Sequence, residues 1–132
     1  CLSRPLYGFE NTEHTINNEG PYAFYYHNKI YLAYSGGDAR GYLYAIGMLT
    51  ANDGDDLCDL SVWEKAKTPI ASFATIPGEY GPGHNSFFWD RDQNLWIAYH
   101  AVTSFEEKIV SSGMRRVYFE QDKTPRFDVI VE

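Results

Sequence analysis

The sequence predicts an all-β chain of antiparallel strands, and two observations predict this fold class. Aromatic residues make up 17% of the 132 residues, with 11 Tyr, 8 Phe and 3 Trp, and aromatic side chains favour β-strands. Apolar and aromatic runs are separated by short polar turns, a pattern typical of β-hairpins. With 44% apolar and 22% charged residues, the chain has enough material for a core and too little charge to stay disordered.

Charge and cysteine content exclude several classes of function. The 11 Lys and Arg against 18 Asp and Glu give a net charge of −7, which disfavours binding to nucleic acid or to an anionic membrane surface. No segment approaches the roughly 20 apolar residues of a membrane span. Cys1 and Cys58 allow at most one disulfide. Because the chain begins with Cys rather than Met, we expect a processed or excised segment of a soluble protein.

An internal repeat organises the chain. Residues 19–35 align without a gap on residues 84–100, a period of 65, and at an offset of 66 the pair Gly47-Met48 falls on Gly113-Met114. Each copy has a Gly/Pro-containing start, an aromatic strand, a polar turn and a second strand, at Ile30–Tyr34 or Leu95–Tyr99. The repeat therefore predicts two β-hairpins.

Further strands extend each hairpin to a four-stranded sheet. Alternating residues predict a third strand at 42–48 in the first unit and at 115–119 in the second. Outer strands are expected near Thr68–Phe73 and Phe127–Val131.

Antiparallel four-stranded sheets repeated at a fixed period are typical of propeller blades. We therefore predict a partial β-propeller of about two blades. Residues 19–80 form one blade, residues 81–132 form the next, and residues 1–18 supply an outer strand and linker of a preceding blade. Because ring closure takes at least about four blades, we expect the chain to need the missing blades or self-association.

The repeat also identifies a candidate site. The period of 65 places Glu19 on His84, and both lie at the start of the first strand of their unit, the strand that lines the channel of a propeller. A carboxyl group and an imidazole would then point into one shared pocket. The alternative is that Glu19 is an exposed loop carboxylate and His84 a hydrogen-bonded turn residue.

These residues carry a resemblance to a known family. The segments 18–21 (NEGP), 81–87 (GPGHNSF) and 98–101 (AYHA) resemble the later blades of glycoside hydrolase family 43. The resemblance covers the C-terminal blades only. It implies a five-bladed β-propeller enzyme that acts on arabinose- or xylose-containing glycans, as an α-L-arabinofuranosidase or a β-xylosidase.

The resemblance also implies roles for single residues. Glu19 matches the general acid, which protonates the departing glycosidic oxygen and must itself stay protonated near the working pH. His84 matches a histidine at the channel axis that commonly binds calcium, and we expect a water-mediated contact because neutral imidazole is a poor ligand for a hard cation. Arg115, preferred over Arg116, and Tyr80 are expected to contact the substrate.

The second carboxylate of the family's catalytic pair has no match in this chain. Inverting hydrolysis needs a base that activates water, with the two carboxyl groups about 6.5–9.5 Å apart, and the family takes this base from earlier blades. The remaining candidates lie in predicted turns: Asp38, Asp53, Asp55, Asp56 and Asp90.

We therefore expect the C-terminal portion of an inverting hydrolase, which supplies the general acid and is inactive alone. Two alternatives stay open. One is a noncatalytic carbohydrate-binding module whose aromatic surface grips glycans, and the other is a structural or assembly fragment without activity.

Overall fold

The computed structural model describes residues 1–104, 106–107 and 109–127. Within these ranges the regular structure is strand apart from two 3-10 turns, Gly8–Glu10 and Leu60–Val62, and the paired strands run antiparallel. The all-β prediction is confirmed. None of the described helical segments is long and apolar enough to cross a bilayer, and both cysteines are exposed and free.

Residues 1–18 lie before the large sheets, and their role as the outer strand and linker of a preceding blade stays a prediction. A short hairpin of β1 (Asn11–Thr12) and β2 (Thr15–Ile16) precedes the large sheets, whereas residues 1–6 have no regular secondary structure. The backbone amides of Leu6 and Tyr7 donate to Glu10 Oε2, at 2.7 and 2.8 Å. These amides are therefore bonded to a carboxylate of their own segment and not to a sheet.

A four-stranded sheet forms the first unit. Its strands, in spatial order, are β3 (Asn18–Tyr26), β4 (Lys29–Gly36), β5 (Ala45–Asn52) and β6 (Glu64–Lys65). His27 and Asn28, with φ of 45° and 64°, form the two-residue turn between β3 and β4, as such hairpin turns require. The outer strand lies before the predicted range Thr68–Phe73, where the chain bends at Thr68 and Ile70 and only Ala71 forms a bridge.

A three-stranded sheet forms the second unit, followed by a separate short pair. The strands are β7 (Tyr80–Trp89), β8 (Leu95–Ser104) and β9 (Ile109–Arg116), then β10 (Tyr118–Phe119) and β11 (Pro125–Arg126). The third strand thus begins earlier than the predicted range 115–119. The apolar alternation did not reveal this start because Ser111 and Ser112 interrupt it. The outer strand predicted at Phe127–Val131 lies, beyond Phe127, outside the described residues.

Asp90 holds the turn between β7 and β8. One carboxylate oxygen accepts from the Trp96 indole at 2.7 Å, and the other accepts from the backbone amide of Asn94 at 2.8 Å. The hydrogen bonds from Trp96 and Asn94 lower the pKa of Asp90 to about 2. The Asp90 carboxylate therefore stabilises this turn through its hydrogen bonds.

The two sheets pack against each other through aromatic rings. Phe24 of β3 contacts Tyr31 and Phe87, with ring centroids 4.8 and 4.5 Å apart, and all three rings are buried. Tyr26 stacks on Phe119 at 3.6 Å, which attaches β10 to the same core. Burial of each such side chain contributes about 1.5–3 kcal/mol to stability.

One face of the second sheet is open and apolar. Phe88, Val110 and Met114 lie on this face and are 42%, 62% and 61% exposed. Large apolar side chains exposed on the same sheet face are typical of a surface that another part of a protein covers.

We expect Phe24→Ala to lower the free energy of unfolding by about 3–5 kcal/mol, because the change leaves a cavity between the two sheets. Phe88→Ala removes an equally large ring from an exposed position and should cost within about 0.5 kcal/mol. Urea unfolding of the two variants and the parent chain measures the difference. Equal losses in both variants would contradict a core shared by the two sheets.

Candidate active site

Three side chains meet at one end of the first sheet. Glu19 of β3 pairs with Ser35 of β4, and Gly36 pairs with Ala45, the residue after Tyr44. The phenol O–H of Tyr44 donates to Glu19 Oε1 at 2.7 Å. Tyr44 is fully buried and Glu19 is half-buried. The carboxylate is therefore held by a side chain from the core of its own sheet.

The second sheet brings His84 to the same place. The backbone N–H of His84 donates to Ser35 Oγ at 2.7 Å. Its ring atom Nδ1 lies 3.6 Å from the point that a Cβ atom on Gly20 would occupy, and Gly20 follows Glu19 directly. His84 has a φ of 53° and lies in an irregular stretch of the β7–β8 ladder. The structure thus brings Glu19 and His84 together.

His100 belongs to this group, although our sequence analysis assigns it no role. Its ring centroid is 6.1 Å from that of His84 and 5.8 Å from that of Tyr44. Burial, followed by the charge of His84, lowers the pKa of His100, and Glu19 opposes the shift. We call these residues the carboxylate–histidine cluster: Glu19, Ser35, Tyr44, His84 and His100.

The repeat itself carried a signal for His100. The period of 65 that aligns Glu19 with His84 also aligns Ser35 with His100. Both pairs of equivalent residues lie in the cluster. Tyr44 had no comparable signal, because it was assigned to an alternating strand and instead lies just before β5.

Gly81 and Gly83 allow the two sheets to approach each other at the cluster. A Cβ atom on Gly83 would overlap the ring of Tyr44, and one on Gly81 would overlap the carbonyl oxygen of Gly41. Gly81 also has a φ of 54°, which favours glycine. The start of β7 therefore needs these glycines to receive the loop that carries Tyr44.

Asn85 follows His84 and is buried, 5% exposed. Neither its amide nitrogen nor its carbonyl oxygen has a hydrogen-bond partner among the described residues. Buried amides normally have such partners.

Arg115 lies in an ion pair with Glu79. Its Nη2 is 2.8 Å from Glu79 Oε1, and its Nε donates to the Tyr99 hydroxyl at 2.7 Å. The adjacent Arg116 lies over the ring of Tyr118 instead, 5.0 Å from its centroid. Contact of Arg115 with a sugar stays a prediction.

Tyr80 lies at the start of β7, where its ring packs against Tyr42 with centroids 4.6 Å apart. Tyr42 also contacts Phe73, at 4.9 Å. Tyr80 is thus part of an aromatic group between the two sheets, and its contact with substrate stays a prediction.

The cluster offers few direct ligands for calcium. Calcium takes about six to eight oxygen ligands, whereas the ionisable groups here are two imidazoles and one carboxylate, the latter already bonded to Tyr44. In the part of the chain that the structure describes, no three His, Cys, Asp or Glu side chains are grouped to hold a metal ion. Calcium bound to His84 through water stays a prediction.

We expect His100 to make stability depend on pH. Its pKa lies below the value of about 6.5 that histidine has in an unfolded chain. As the pH falls through about 6.5, the unfolded chain binds more protons than the folded chain, so the free energy of unfolding decreases. The stabilisation is present above about pH 6.5 and is lost as the pH falls through the lowered pKa.

Urea unfolding between about pH 5 and pH 8 tests this expectation. His100→Asn should flatten the pH dependence of the free energy of unfolding, by at most about 1.4 kcal/mol per pH unit. His14→Asn, in an exposed turn, measures what a histidine outside the cluster contributes. A slope that His100→Asn leaves unchanged contradicts the expectation.

Known proteins resemble the whole chain. The family model described as glycosyl hydrolases family 43 matches residues 4–125. An extracellular exo-α-(1→5)-L-arabinofuranosidase from Streptomyces avermitilis is 30% identical over 98% of this chain. A protein of the same name from Streptomyces chartreusis is 38% identical over 76% of it. The crystal structure of an α-L-arabinofuranosidase from Lactobacillus brevis matches 96% of this chain with a TM-score of 0.83 and 29% identity.

The matches cover only a part of these relatives. The chain spans 28% and 30% of the two Streptomyces proteins and 41% of the Lactobacillus brevis structure. Together with the two antiparallel sheets, the comparisons confirm the prediction of a partial propeller. The chain belongs to glycosyl hydrolase family 43.

Proposed function

We propose that this chain supplies the general acid, Glu19, of a glycoside hydrolase that cleaves α-L-arabinofuranosidic bonds with inversion. The observation that carries the proposal is the meeting of Glu19 with His84 and His100 where the two sheets join, with Glu19 Oε1 held by Tyr44 at 2.7 Å. The names of the relatives support arabinose as the sugar. A β-xylosidic substrate is the other outcome that the test below distinguishes.

The chemistry is a single displacement. Glu19 gives its proton to the glycosidic oxygen as the bond from that oxygen to the anomeric carbon breaks. Water attacks the anomeric carbon from the opposite face, and a second carboxylate takes the proton that this water loses. The products are a sugar of inverted configuration and an alcohol.

The neutral form of His100 suits a neighbouring general acid. Burial is the main cause that lowers the pKa of His100, so His100 itself is neutral near pH 7 and does not act as a cation beside Glu19. A cation there would favour the ionised carboxylate, which cannot donate a proton. Neutral His100 thus avoids one interaction that would disable the acid.

We infer that the base lies outside this chain. Glu19 is the one carboxylate of the cluster, and Asp90, for example, is occupied by the β7–β8 turn. The segments that the relatives have beyond the matched region are the proposed source of the base. The same segments would cover the open face that carries Phe88 and Met114. The chain alone should therefore be inactive.

A hybrid enzyme tests the proposal. In it, this chain replaces the matched 41% of the Lactobacillus brevis arabinofuranosidase. Glu19→Gln should lower kcat on arabino-oligosaccharides by about 10²–10⁴-fold. The loss should be far smaller on an aryl arabinofuranoside, because a good leaving group needs little protonation. Glu64→Gln, which changes an exposed carboxylate of β6, should leave both rates unchanged.

Three results would contradict the proposal. These are equal losses on both substrates in Glu19→Gln, retention of anomeric configuration in the first-formed sugar seen by NMR, and a folded hybrid that binds arabino-oligosaccharides without cleaving them. The last result would favour a noncatalytic carbohydrate-binding module. A preference of the hybrid for xylo-oligosaccharides would assign the β-xylosidic bond.

A further inference from the structure

The hydroxyl of Tyr44 reaches the candidate active site although its ring belongs to the core. The residue is 0% exposed, and its O–H donates to Glu19 Oε1 at 2.7 Å. Burial and the hydrogen bond to Glu19 raise the pKa of Tyr44 well above its ordinary value near 10, against an opposing contribution from Ser35. Tyr44 therefore remains a neutral donor throughout the range in which a carboxyl group titrates.

The ring of Tyr44 is fixed by its neighbours. Gly83 presents bare backbone to the ring, since any Cβ atom there would overlap it. The ring of His100 lies nearly parallel to it, at 11° and 5.8 Å. The hydroxyl is thus held in place before any substrate binds, which is what precise placement of a reacting group requires.

Tyr44 occurs only in the unit that carries the carboxylate. Ile46 pairs with Ser35, and Ser112 pairs with His100, the residue that the repeat aligns with Ser35. Ile46 and Ser112 therefore occupy equivalent places in the two sheets. Ile46 and Ser112 are 66 residues apart, and this offset also aligns Tyr44 with Val110. The side chain of Val110 is 62% exposed. A buried tyrosine is therefore not a feature that every unit of the repeat needs. It accompanies Glu19.

We propose that Tyr44 is a positioning residue for Glu19, fixing Oε1 so that the acidic proton is carried by Oε2. This inference rests on the proposed function of Glu19 as the general acid. In a protonated carboxyl group the carbonyl oxygen is a better hydrogen-bond acceptor than the hydroxyl oxygen, so a phenol donor on Oε1 favours the proton on Oε2. The Tyr44 hydroxyl thereby selects which oxygen donates and restricts rotation of the carboxyl group.

A positioning role for Tyr44 predicts two effects of its removal that a merely structural tyrosine would not produce. Removing a donor from a carboxylate makes its charged form less favourable, so the carboxyl group titrates at higher pH. Loss of orientation lowers the rate of proton transfer at the same time. Loss of packing alone would lower stability without moving either quantity.

The first measurement uses the full 132-residue chain. NMR of the Glu19 side-chain carboxyl carbon gives its titration midpoint, which Tyr44→Phe should raise by about one pH unit. Tyr31→Phe is the matched control. Tyr31 is equally buried, 1% exposed, and also loses one hydrogen bond, from its hydroxyl to the Lys123 carbonyl at 2.8 Å. Tyr31→Phe should leave the midpoint unchanged.

Tyr44→3-fluorotyrosine keeps the ring and the hydrogen bond, so it preserves the fold if Tyr44→Phe does not. The fluorinated phenol is the stronger donor, and the midpoint of Glu19 should fall. An unchanged midpoint in a folded variant of either kind overturns the proposal.

Rates in the hybrid enzyme separate this inference from the proposed function. Tyr44→Phe should lower kcat on arabino-oligosaccharides by about 10- to 100-fold, with little change in KM. It should also shift the basic limb of the pH–rate profile to higher pH. Tyr31→Phe should change neither. If Glu19→Gln discriminates between the two leaving groups and Tyr44→Phe has no effect, only the positioning role fails. If Glu19→Gln does not discriminate, the proposed function fails whatever Tyr44→Phe does.

Discussion

The contact between the Tyr44 ring and the bare backbone of Gly83 determines how the two sheets meet. Because no Cβ atom intervenes, β7 approaches the first sheet closely enough for the His84 amide to bond to Ser35 Oγ, at 2.7 Å. The same approach places the His84 ring beside Gly20. A carboxylate and two imidazoles from separate sheets come together as a result of one close packing contact.

A second network recurs in both units and explains where Arg115 lies. In each unit the ring of a tyrosine in the second strand packs over a glycine of the third strand. Its hydroxyl donates to a carboxylate from the segment before the sheet, and that carboxylate is paired with a cation. The members are Tyr34, Gly47, Glu10 and Lys65 in the first unit, and Tyr99, Gly113, Glu79 and Arg115 in the second.

The two networks differ in burial. Glu10 is 0% exposed, and although burial opposes its ionisation, hydrogen bonds led by that from Lys65 lower its pKa. The side chains of Arg115 and Glu79 are 26% and 20% exposed, against 12% for that of Lys65, so the guanidinium has more access to solvent than the ammonium group. The repeat thus assigns Arg115 a structural partner, and any contact with a sugar has to be made beside that ion pair.

The sequence predicted those parts of the structure that depend on spacing along the chain. The 65-residue period located Glu19 and His84 at equivalent strand starts, and spacing alone brings such positions together in a repeated sheet. It did not reveal Tyr44, because an alternating pattern runs through the loop into β5 without marking where pairing begins. The bounds of β6 and β9 were likewise misplaced, since they depend on which amides find partners in three dimensions.

The hydrogen bond that orients Glu19 also works against its proposed role. A phenol donor favours the ionised carboxylate, whereas a general acid has to remain protonated. Neutral His100 adds no further stabilisation of the anion, but Glu19 is only half-buried in this chain and water still solvates one side of it. Covering that side removes the solvation of the anion and favours the protonated form. Orientation by Tyr44 therefore comes from within this chain, and the acidity that the reaction needs depends on the segments that close over Glu19.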